Sequence, residues 1–371
     1  TLDDAAGTVE YDGGTQDVLA DAYYNLEIDE SGVKTSQGTV TAAGTLTVGS
    51  GATYAIAATS TTVTGATDIN GTLTASTGTF DANGAFDATG GTIDFTDAGR
   101  LQFAGTVTNL GTLDNAAGTV EYDGGIQNIL ADNYYNLEID QSDPKTAQGS
   151  INVAGTMTVQ SSATFYLDQS GGIYTVTGLS DINGSLLINE GQYDAYGPFD
   201  ATNGSVTFTG SGLLRLNSTL ISLGTLDVTG FGGGQYNGTV IYDLDQGQDI
   251  GGPYGYNDLI ITSGSQGLLN VTVNDNLLYG VLDLHEGVIN LNNNNFIFTT
   301  SGTVINASND SHLFNGYAEK QFDATPFTFP IGDGTNYRPI TLTSSTTNTN
   351  SLSAAYMFAA QNQSSINSSL S

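Results

Sequence analysis

Apolar and polar residues alternate in short runs along the whole of this chain. Many of the runs share one unit, Gly-Thr/Ser-apolar-x-apolar, as in GTVEY from Gly7, GTLTV from Gly44 and GTIDF from Gly91. Alternation with a period of two predicts a short β-strand that has one inward and one outward face. No stretch has a helical period, so the pattern predicts an all-β chain.

The same alternation assigns individual side chains to the two faces of a strand. It places Tyr24, Leu26 and Ile28 on one face of the strand that contains them. It also predicts that Leu137 faces inward with Ile139 as its partner, since residues two apart lie on the same side. Acidic and polar residues take the intervening positions, so we expect them to face solvent.

A long internal repeat organises these short runs. Residues 1–29 and 112–140 are identical at 24 of 29 positions, and a more divergent copy, GTVIYDLDQGQDI, begins at Gly238. A repeat of this kind is typical of an elongated array rather than of a chain built around one cleft. We expect four segments, namely a first solenoid repeat unit (1–111), a second (112–224), a divergent third unit (225–311) and a C-terminal cap or small β-domain with a tail (312–371).

The spacing of the small units favours one fold class over another. They recur at intervals of about 20 residues, close to one coil of a β-helix, and about 310 residues would make some 15 coils. We therefore predict an all-β, parallel β-helix (solenoid) of stacked short strands with a C-terminal β cap, in which regular spacing ends near His312. Tandem β-sandwich domains are the alternative, because Asn70-Gly71 and Asn183-Gly184 are sequence signals for hairpins.

The charge of the chain is one-sided. There are 38 acidic residues against six Lys plus Arg, which gives a net charge of −32. Basic clusters that would replace counterions are missing, so the sequence predicts no nucleic-acid partner and no attraction to anionic membranes. No apolar run approaches 18 residues, which predicts no membrane insertion as a helix. Cysteine is absent, which excludes disulfides and thiolate metal sites.

Candidate catalytic residues are few. His285 and His312 are the only histidines, neither has triad or metal-ligand spacing, and we expect both at the surface or in turns. Arg100, Arg215 and Arg338 are isolated candidates for a polysaccharide lyase, although a surface of charge −32 would repel polyuronates. We therefore predict that the chain is not an enzyme and has no catalytic or cofactor-binding residues.

The sequence neither predicts nor excludes a metal site. The EF-hand pattern and the Gly-Gly-x-Gly-x-Asp nonapeptide are absent. The repeated DING at Asp68 and Asp181 is better explained as an Asx turn. Adjacent carboxylates in turns leave calcium as an alternative, with no particular ligands indicated.

Several motifs resemble those of a known class of proteins. Tyr-x-Asn-Leu at Tyr23 and Tyr134, followed by Lys-Thr and then an apolar GTLTV or GTMTV run, looks like the adhesin repeats of Bacteroidota-type surface proteins. The run LDLHEGVINL, then GYAEK and then FPIGDGTNYRPITL, resembles the region near the C-terminus of many of them. The resemblance implies an extracellular or cell-surface location and export by the type IX system. It does not indicate a ligand.

These patterns together predict a non-catalytic structural protein. We expect an adhesin stalk or a filament subunit, with a carbohydrate-active β-helix enzyme or a polysaccharide-binding module as the alternative and surface glycans as candidate ligands. Self-association head-to-tail, or continuation in a longer chain, would cover the open N-terminal end. We expect a detached strand in the tail to supply that contact through Ala354, Ala355, Tyr356, Met357 and Phe358.

Overall fold

The fold was analysed in a computed structural model that describes residues 6–229, 236–243, 248–262, 268–321, 325–343 and 351–356. The chain divides into two compact units, Thr1–Gly238 and Thr239–Ser371. No helix occurs among the described residues, and parallel stacked strands form a β-solenoid with about 15 turns in the two units together. The predicted fold class is confirmed, and the alternative of tandem β-sandwiches is wrong.

Seventeen short strands lie between residues 8 and 113, which cover the first repeat and the start of the second. They are Thr8–Tyr11 (β1), Gln16–Val18 (β2), Ala22–Tyr23 (β3), Asn25–Ile28 (β4), Gly32–Ser36 (β5), Val40–Ala42 (β6), Leu46–Val48 (β7), Ala52–Ile56 (β8), Ser60–Val63 (β9), Thr67–Ile69 (β10), Thr72–Ala75 (β11), Thr79–Ala82 (β12), Phe86–Asp87 (β13), Thr92–Phe95 (β14), Arg100–Phe103 (β15), Val107–Asn109 (β16) and Thr112–Leu113 (β17).

A matching set of 17 strands lies between residues 119 and 227. They are Thr119–Tyr122 (β18), Gln127–Ile129 (β19), Asn133–Tyr134 (β20), Asn136–Ile139 (β21), Pro144–Ala147 (β22), Ile151–Val153 (β23), Met157–Val159 (β24), Thr164–Leu167 (β25), Ile173–Val176 (β26), Ser180–Ile182 (β27), Ser185–Ile188 (β28), Gln192–Ala195 (β29), Phe199–Asp200 (β30), Ser205–Phe208 (β31), Leu213–Leu216 (β32), Leu220–Ser222 (β33) and Thr225–Asp227 (β34).

Three strands make one turn of the solenoid in the first unit. Strands pair in parallel with the strand three positions further along the chain, except that β16 and β17 do not pair with β19 and β20. The ladders of this unit run β1-β4-β7-β10-β13-β16, β2-β5-β8-β11-β14-β17, β19-β22-β25-β28-β31-β34, β20-β23-β26-β29-β32 and, longest of all with 11 strands, from β3 in steps of three to β33.

The repeat length is out of step with the three-strand turn. Because 17 is not a multiple of three, the second copy begins one face away from the first. Strand β1 accordingly lies in a six-stranded sheet, whereas the equivalent β18 lies in the 11-stranded sheet. Equivalent residues of the two repeats therefore point in different directions around the solenoid.

The core of the first unit consists of apolar side chains stacked in register. Along the 11-stranded sheet, Leu101 pairs with Val120, Val120 with Leu137, and Leu137 with Met157. All four are at most 2% exposed, and Ile139 is completely buried. The predicted inward pair of Leu137 and Ile139 is therefore confirmed.

The predicted face of Tyr24 is wrong. Tyr24 is 39% exposed, whereas Tyr23, Leu26 and Ile28 are buried. Tyr24 lies at the corner between β3 and β4, where the chain passes from one face to the next. The alternation restarts at each corner, so strict alternation cannot be carried across it.

The two Asn-Gly pairs also form corners rather than the hairpins that the alternative β-sandwich fold would need. Strands β10 and β11 on either side of Asn70 belong to different sheets and continue around the solenoid. A Cβ atom at Gly71 would approach the carbonyl oxygens of Gly49 and Ala52 to 2.3 Å. Gly184 is confined in the same way by Ala163. Glycine is required here because the backbone of the previous turn passes too close for a side chain.

The second unit begins with further parallel turns. Its strands are Thr239–Tyr242 (β35), Gln248–Ile250 (β36), Gly255–Tyr256 (β37), Asp258–Thr262 (β38), Leu268–Val271 (β39), Asn276–Leu278 (β40), Val281–Glu286 (β41), Val288–Asn290 (β42), Asn295–Phe298 (β43), Thr303–Ile305 (β44), Leu313–Phe314 (β45), Tyr317–Gln321 (β46), Phe327–Phe329 (β47), Ile340–Leu342 (β48) and Ser351–Ala354 (β49). Its parallel ladders are β35-β38-β41-β44, β36-β39-β42-β45 and β37-β40-β43-β46.

The end of the second unit changes from parallel to antiparallel pairing. Strands β45 and β46 still pair in parallel with β42 and β43, so regular pairing extends beyond His312 to Lys320. Strands β47 and β48 then pair with each other in an antiparallel manner, and β49 pairs antiparallel with β46. The strand expected to be detached is thus part of a sheet from Ser351 to Ala354.

Candidate functional site

The junction between the two repeats carries the most distinctive group of charged side chains. Strand β15 of the first repeat pairs with β18 of the second. The Arg100 guanidinium contacts the Glu121 carboxylate and lies 2.7 Å from Oε2 of Glu138. Nε2 of Gln102 donates to Oε2 of Glu121 over 2.7 Å. Because the two glutamate side chains are only 6% and 14% exposed, Arg100 compensates two largely buried carboxylates.

A buried glutamine bridges the same junction, at the point where one ladder ends with β16 and another begins with β19. Strands β16 and β19 belong to different sheets. Nε2 of Gln127 donates to the carbonyl oxygens of Phe103 (2.8 Å) and Gly105 (2.9 Å), while its Oε1 accepts from the N–H of Gly124. One side chain thus replaces backbone pairing between the turns. A groove of about 540 Å³ lies beside it, with the exposed Ile126 on its rim.

The first repeat has the same acidic residues in a different setting. Glu10, Glu27 and Asp29 have carboxylate oxygens within 4.8 Å of one another. Desolvation, and after it repulsion from Glu27, raises the pKa of Glu10. Among residues 6–229, no Lys or Arg forms an ion pair with this group. Three oxygen donors at this spacing suit a divalent cation as well as an organic one, and calcium stays a prediction.

The third copy has lost this charged group in its sequence. It has Ile241 and Ile260 where the second copy has Glu121 and Glu138. The second repeat has Leu213 where the first has Arg100. The arginine and the two glutamates of the following copy are therefore present together or replaced together.

A pair of tyrosine hydroxyls recurs in all three copies. The hydroxyl oxygens lie 2.9, 3.3 and 3.0 Å apart in the pairs Tyr11–Tyr23, Tyr122–Tyr134 and Tyr242–Tyr256. In the second copy, Tyr134 also donates to the carbonyl oxygen of Leu130 over 2.8 Å. Burial raises the pKa of Tyr122 to about 12 and also raises that of Tyr134. In the second copy the buried pair thus holds the loop between its two strands through Leu130.

All three lysines of the chain are buried. Lys34 and Lys145 donate to the carbonyl oxygens of the residues four positions earlier, over 2.6 and 3.3 Å. Lys320 donates to three carbonyl oxygens over 2.6–2.8 Å and lies 5.1 Å from the ring centre of Phe327. The lysines therefore satisfy backbone groups inside the solenoid and do not offset the acidic surface.

The three arginines that the sequence marked as isolated all lie beside carboxylates. Besides Arg100, Nε of Arg215 is 3.9 Å from Asp194, and Nε of Arg338 is 3.4 Å from Asp333. A polyuronate substrate would need the guanidinium cation, but each guanidinium already lies close to a carboxylate of the protein.

The two histidines differ. The His285 side chain is 60% exposed, and its Nε2 lies 3.5 Å from the Asp283 carboxylate. Of the surface or turn position expected for His312, the surface position is wrong, since His312 is completely buried in the loop between β44 and β45. Its Nδ1 bonds to the Ser308 carbonyl, and its Nε2 accepts from the N–H of Gly334. Burial lowers the pKa of His312, so the neutral ring ties two loops together.

The DING motifs do not form the predicted Asx turns. Asp68 and Asp181 accept from the side-chain amides of Asn70 and Asn183, over 3.0 and 2.9 Å. An Asx turn occurs instead in the FDAT motif, where the Asp87 carboxylate accepts from the N–H two residues on. Both aspartates of DING therefore bind the asparagine side chain at the corner that follows the strand.

A cavity of about 470 Å³ lies in the second unit. Its lining combines the aromatic residues Phe314, Tyr317 and Tyr356 with the polar Asn293 and Asp333. Tyr317 and Tyr356 are each 38% exposed. Hydrogen bonds from the backbone N–H groups of the loop that begins at Asp333 lower the pKa of that carboxyl to about 2. The volume and the mixture of rings with carboxylate and amide groups suit a small polar ligand.

The residues predicted as an assembly strand are separated by the structure. Ala354 ends β49 and pairs with Ala318 of the same chain. Ala355 and Tyr356 line the cavity. Met357 and Phe358 lie outside the described residues. The predicted donation of this strand to another molecule stays a prediction.

Comparisons with known proteins add no relationship. No family model, no curated protein and no solved structure matches the chain. A search of the described residues found no helix with the length and apolarity needed to cross a membrane.

Proposed function

We propose that the chain is a structural, non-catalytic β-solenoid that acts as an adhesin stalk or filament subunit. The observation that carries this proposal is the 11-stranded parallel ladder of the first unit, over a core of apolar residues stacked in register. Backbone hydrogen bonds and stacked side chains that continue from turn to turn resist extension along the ladder. Repeats with matching strands add length to the solenoid.

The proposed location is the surface of a bacterial cell. Tyr-x-Asn-Leu, Lys-Thr and the C-terminal motifs resemble adhesin repeats of Bacteroidota-type bacteria, which supports export by the type IX system. An acidic exterior with all lysines buried supports this too, because neighbouring stalks of like charge repel each other.

Mechanical and imaging measurements test the structural role. Single-molecule pulling on the full chain, from points at either end of the first unit, should show high unfolding forces. The extension should increase in steps that correspond to whole turns. Electron microscopy of the purified protein should show rods or filaments. Unfolding at low force together with compact particles would contradict a stalk or filament subunit.

The cavity in the second unit favours glycan binding as a second candidate function. Tyrosine rings present apolar faces to sugar rings, and carboxylate and amide oxygens accept hydrogen bonds from hydroxyl groups. Calorimetric titration with a panel of neutral oligosaccharides tests this, with Tyr317→Ala expected to reduce affinity at least tenfold. Tyr135→Ala, at an exposed position in the first unit, is the control. Equal affinities of the two variants would place binding elsewhere, and release of shorter sugars would instead indicate an enzyme.

A further inference from the structure

We propose that the open edge of the first turn, formed by β1, Gln16 and Glu27, binds the Arg100–Gly105 segment of another copy of this repeat. This inference rests on the proposed structural role, and it names the partner of one surface of the first unit. The contact would have the register that the chain already uses between β15 and β18.

The covered and the open surfaces are almost the same in sequence. Both β1 and β18 read TVEY. Strand β18 lies between β15 and β21, whereas among the described residues β1 pairs only with β4. The N–H of Thr119 donates to Gly99 over 2.9 Å, and the N–H of Asp123 donates to Phe103 over 3.0 Å. The equivalent N–H groups of Thr8 and Asp12 have no such acceptor among the described residues.

Side chains of the open edge match the missing segment in shape. Val120 and Tyr122 are at most 2% exposed, and the ring centre of Tyr122 lies 5.4 Å from that of Phe103. Their counterparts Val9 and Tyr11 are only half-buried. A Phe103-type side chain would cover Tyr11 and bury apolar surface that now contacts solvent.

The open edge also matches the segment in charge. In the second repeat, Arg100 lies against Glu121 and Glu138. In the first repeat, Glu10 and Glu27 occupy the same positions and have no ion pair with Lys or Arg among residues 6–229. An arginine delivered by a docking strand would compensate both carboxylates at once.

Gln16 of the first copy has the conformation that Gln127 adopts at the junction between the repeats. Oε1 of Gln16 accepts from the N–H of Gly13 over 2.8 Å, as Oε1 of Gln127 does from Gly124. Nε2 of Gln127 donates to two carbonyl oxygens of the preceding turn. Nε2 of Gln16 has no acceptor among the described residues, so a docked turn would supply the carbonyl groups that it lacks.

Two other segments of this chain fit the edge less well. The tail strand β49 has no cationic residue and already pairs with β46. The segment of the second repeat that corresponds to Arg100–Gly105 has Leu213 in place of the arginine, and it precedes a copy in which isoleucines replace both glutamates. The chain thus uses the arginine only where the glutamates follow.

The test adds a copy of residues 1–111 directly before Thr1 of the full chain and follows hydrogen exchange at single amides. The proposal predicts that exchange at Thr8 and Asp12 slows at least tenfold, to the rates of Thr119 and Asp123. With Arg100→Leu in the added copy alone, exchange at Thr8 and Asp12 should speed up again by at least half of that slowing, measured as the logarithm of the rate. Unchanged exchange at Thr8 and Asp12, or equal protection by the Arg100→Leu version, would overturn the proposal.

A second measurement uses the unmodified chain, so that its result does not depend on whether an added copy folds. A peptide of residues 96–105, added to the unmodified chain, should protect the same two amides, whereas the peptide of residues 209–218 should not. Protection by a peptide of residues 351–360 instead would favour donation by the tail and overturn the proposal, as would equal binding of all three. These exchange data do not depend on the pulling forces, so either proposal can fail without the other.

Discussion

Leu137 illustrates how a single position in the strand determines stability. It is completely buried between Val120 and Met157, its partners in the neighbouring strands. Leu137→Asp would bury an unpaired carboxylate, and we expect a loss of roughly 3 kcal/mol or more in the free energy of unfolding. Denaturant melts of the full chain measure it. Tyr135→Asp, at a 38% exposed position two residues away, should change stability little; equal losses in the two variants would contradict the assignment of faces.

The paired tyrosines predict a loss of stability at high pH. The pKa of Tyr122 is raised by burial to about 12, above the value of about 10 expected in the unfolded chain. Between these values the folded state holds more protons than the unfolded state, so the free energy of unfolding falls as the pH rises. The stabilisation is complete below pH 10 and disappears towards pH 12.

Circular dichroism and tyrosinate absorbance, recorded together from pH 9 to pH 12, test this prediction. Buried tyrosines should ionise only as the fold is lost. A double variant, Tyr122→Phe with Tyr134→Phe, should show a smaller decrease in stability over the same range. Ionisation of all 19 tyrosines near pH 10 with the fold intact would show that the rings are accessible.

At the scale of strands, the charged group at the repeat junction should behave as one unit. Arg100→Leu alone leaves the Glu121 and Glu138 carboxylates without their cation, and we expect a cost of about 1–3 kcal/mol. Adding Glu121→Ile and Glu138→Ile reproduces the residue types of the third copy and should recover most of the loss. Thermal melts of the single and triple variants measure this coupling. If the triple variant is less stable than Arg100→Leu, the charged and apolar versions are not interchangeable.

The sequence predicted the strands better than it predicted the corners between them. Alternation within a strand correctly placed Leu137 and Ile139, because burial on one side imposes a period of two. It failed for Tyr24, because a corner resets the phase. The hairpin signal at Asn70-Gly71 marks a corner instead, because a corner and a hairpin use the same residues. The sequence does not predict the burial of His312, because a buried histidine that bonds to two loops has no local sequence pattern.

The junction site was within reach of the sequence but required the copies to be aligned. Taken alone, Arg100 is only an isolated candidate for catalysis. Alignment of the repeats alone reveals that Arg100 and the glutamates at 121 and 138 are replaced together. Their contact could not be predicted, because Arg100 meets residues 21 and 38 positions away only once three strands make a turn.

At the scale of the whole molecule, the near-identity of residues 1–29 and 112–140 makes it possible to test how position in the array affects stability. Leu26 and Leu137 are equivalent, lie in nearly identical sequences and are at most 1% exposed. Leu26 is in β4, one turn from the edge strand β1, whereas Leu137 has many turns on both sides. In a solenoid each turn contacts only its neighbours, so stability is a sum over turns and the interfaces between them.

The two leucines should therefore respond differently to the same substitution. Leu26→Asp can be relieved by unfolding of the first turns alone, so the main denaturant transition of the remaining chain should move little, while amides in β1 and β4 lose their protection. Leu137→Asp cannot be relieved without breaking the 11-stranded ladder, so it should shift the main transition or divide it into two. Equal shifts of the main transition in both variants would mean that the solenoid unfolds as one cooperative block rather than turn by turn.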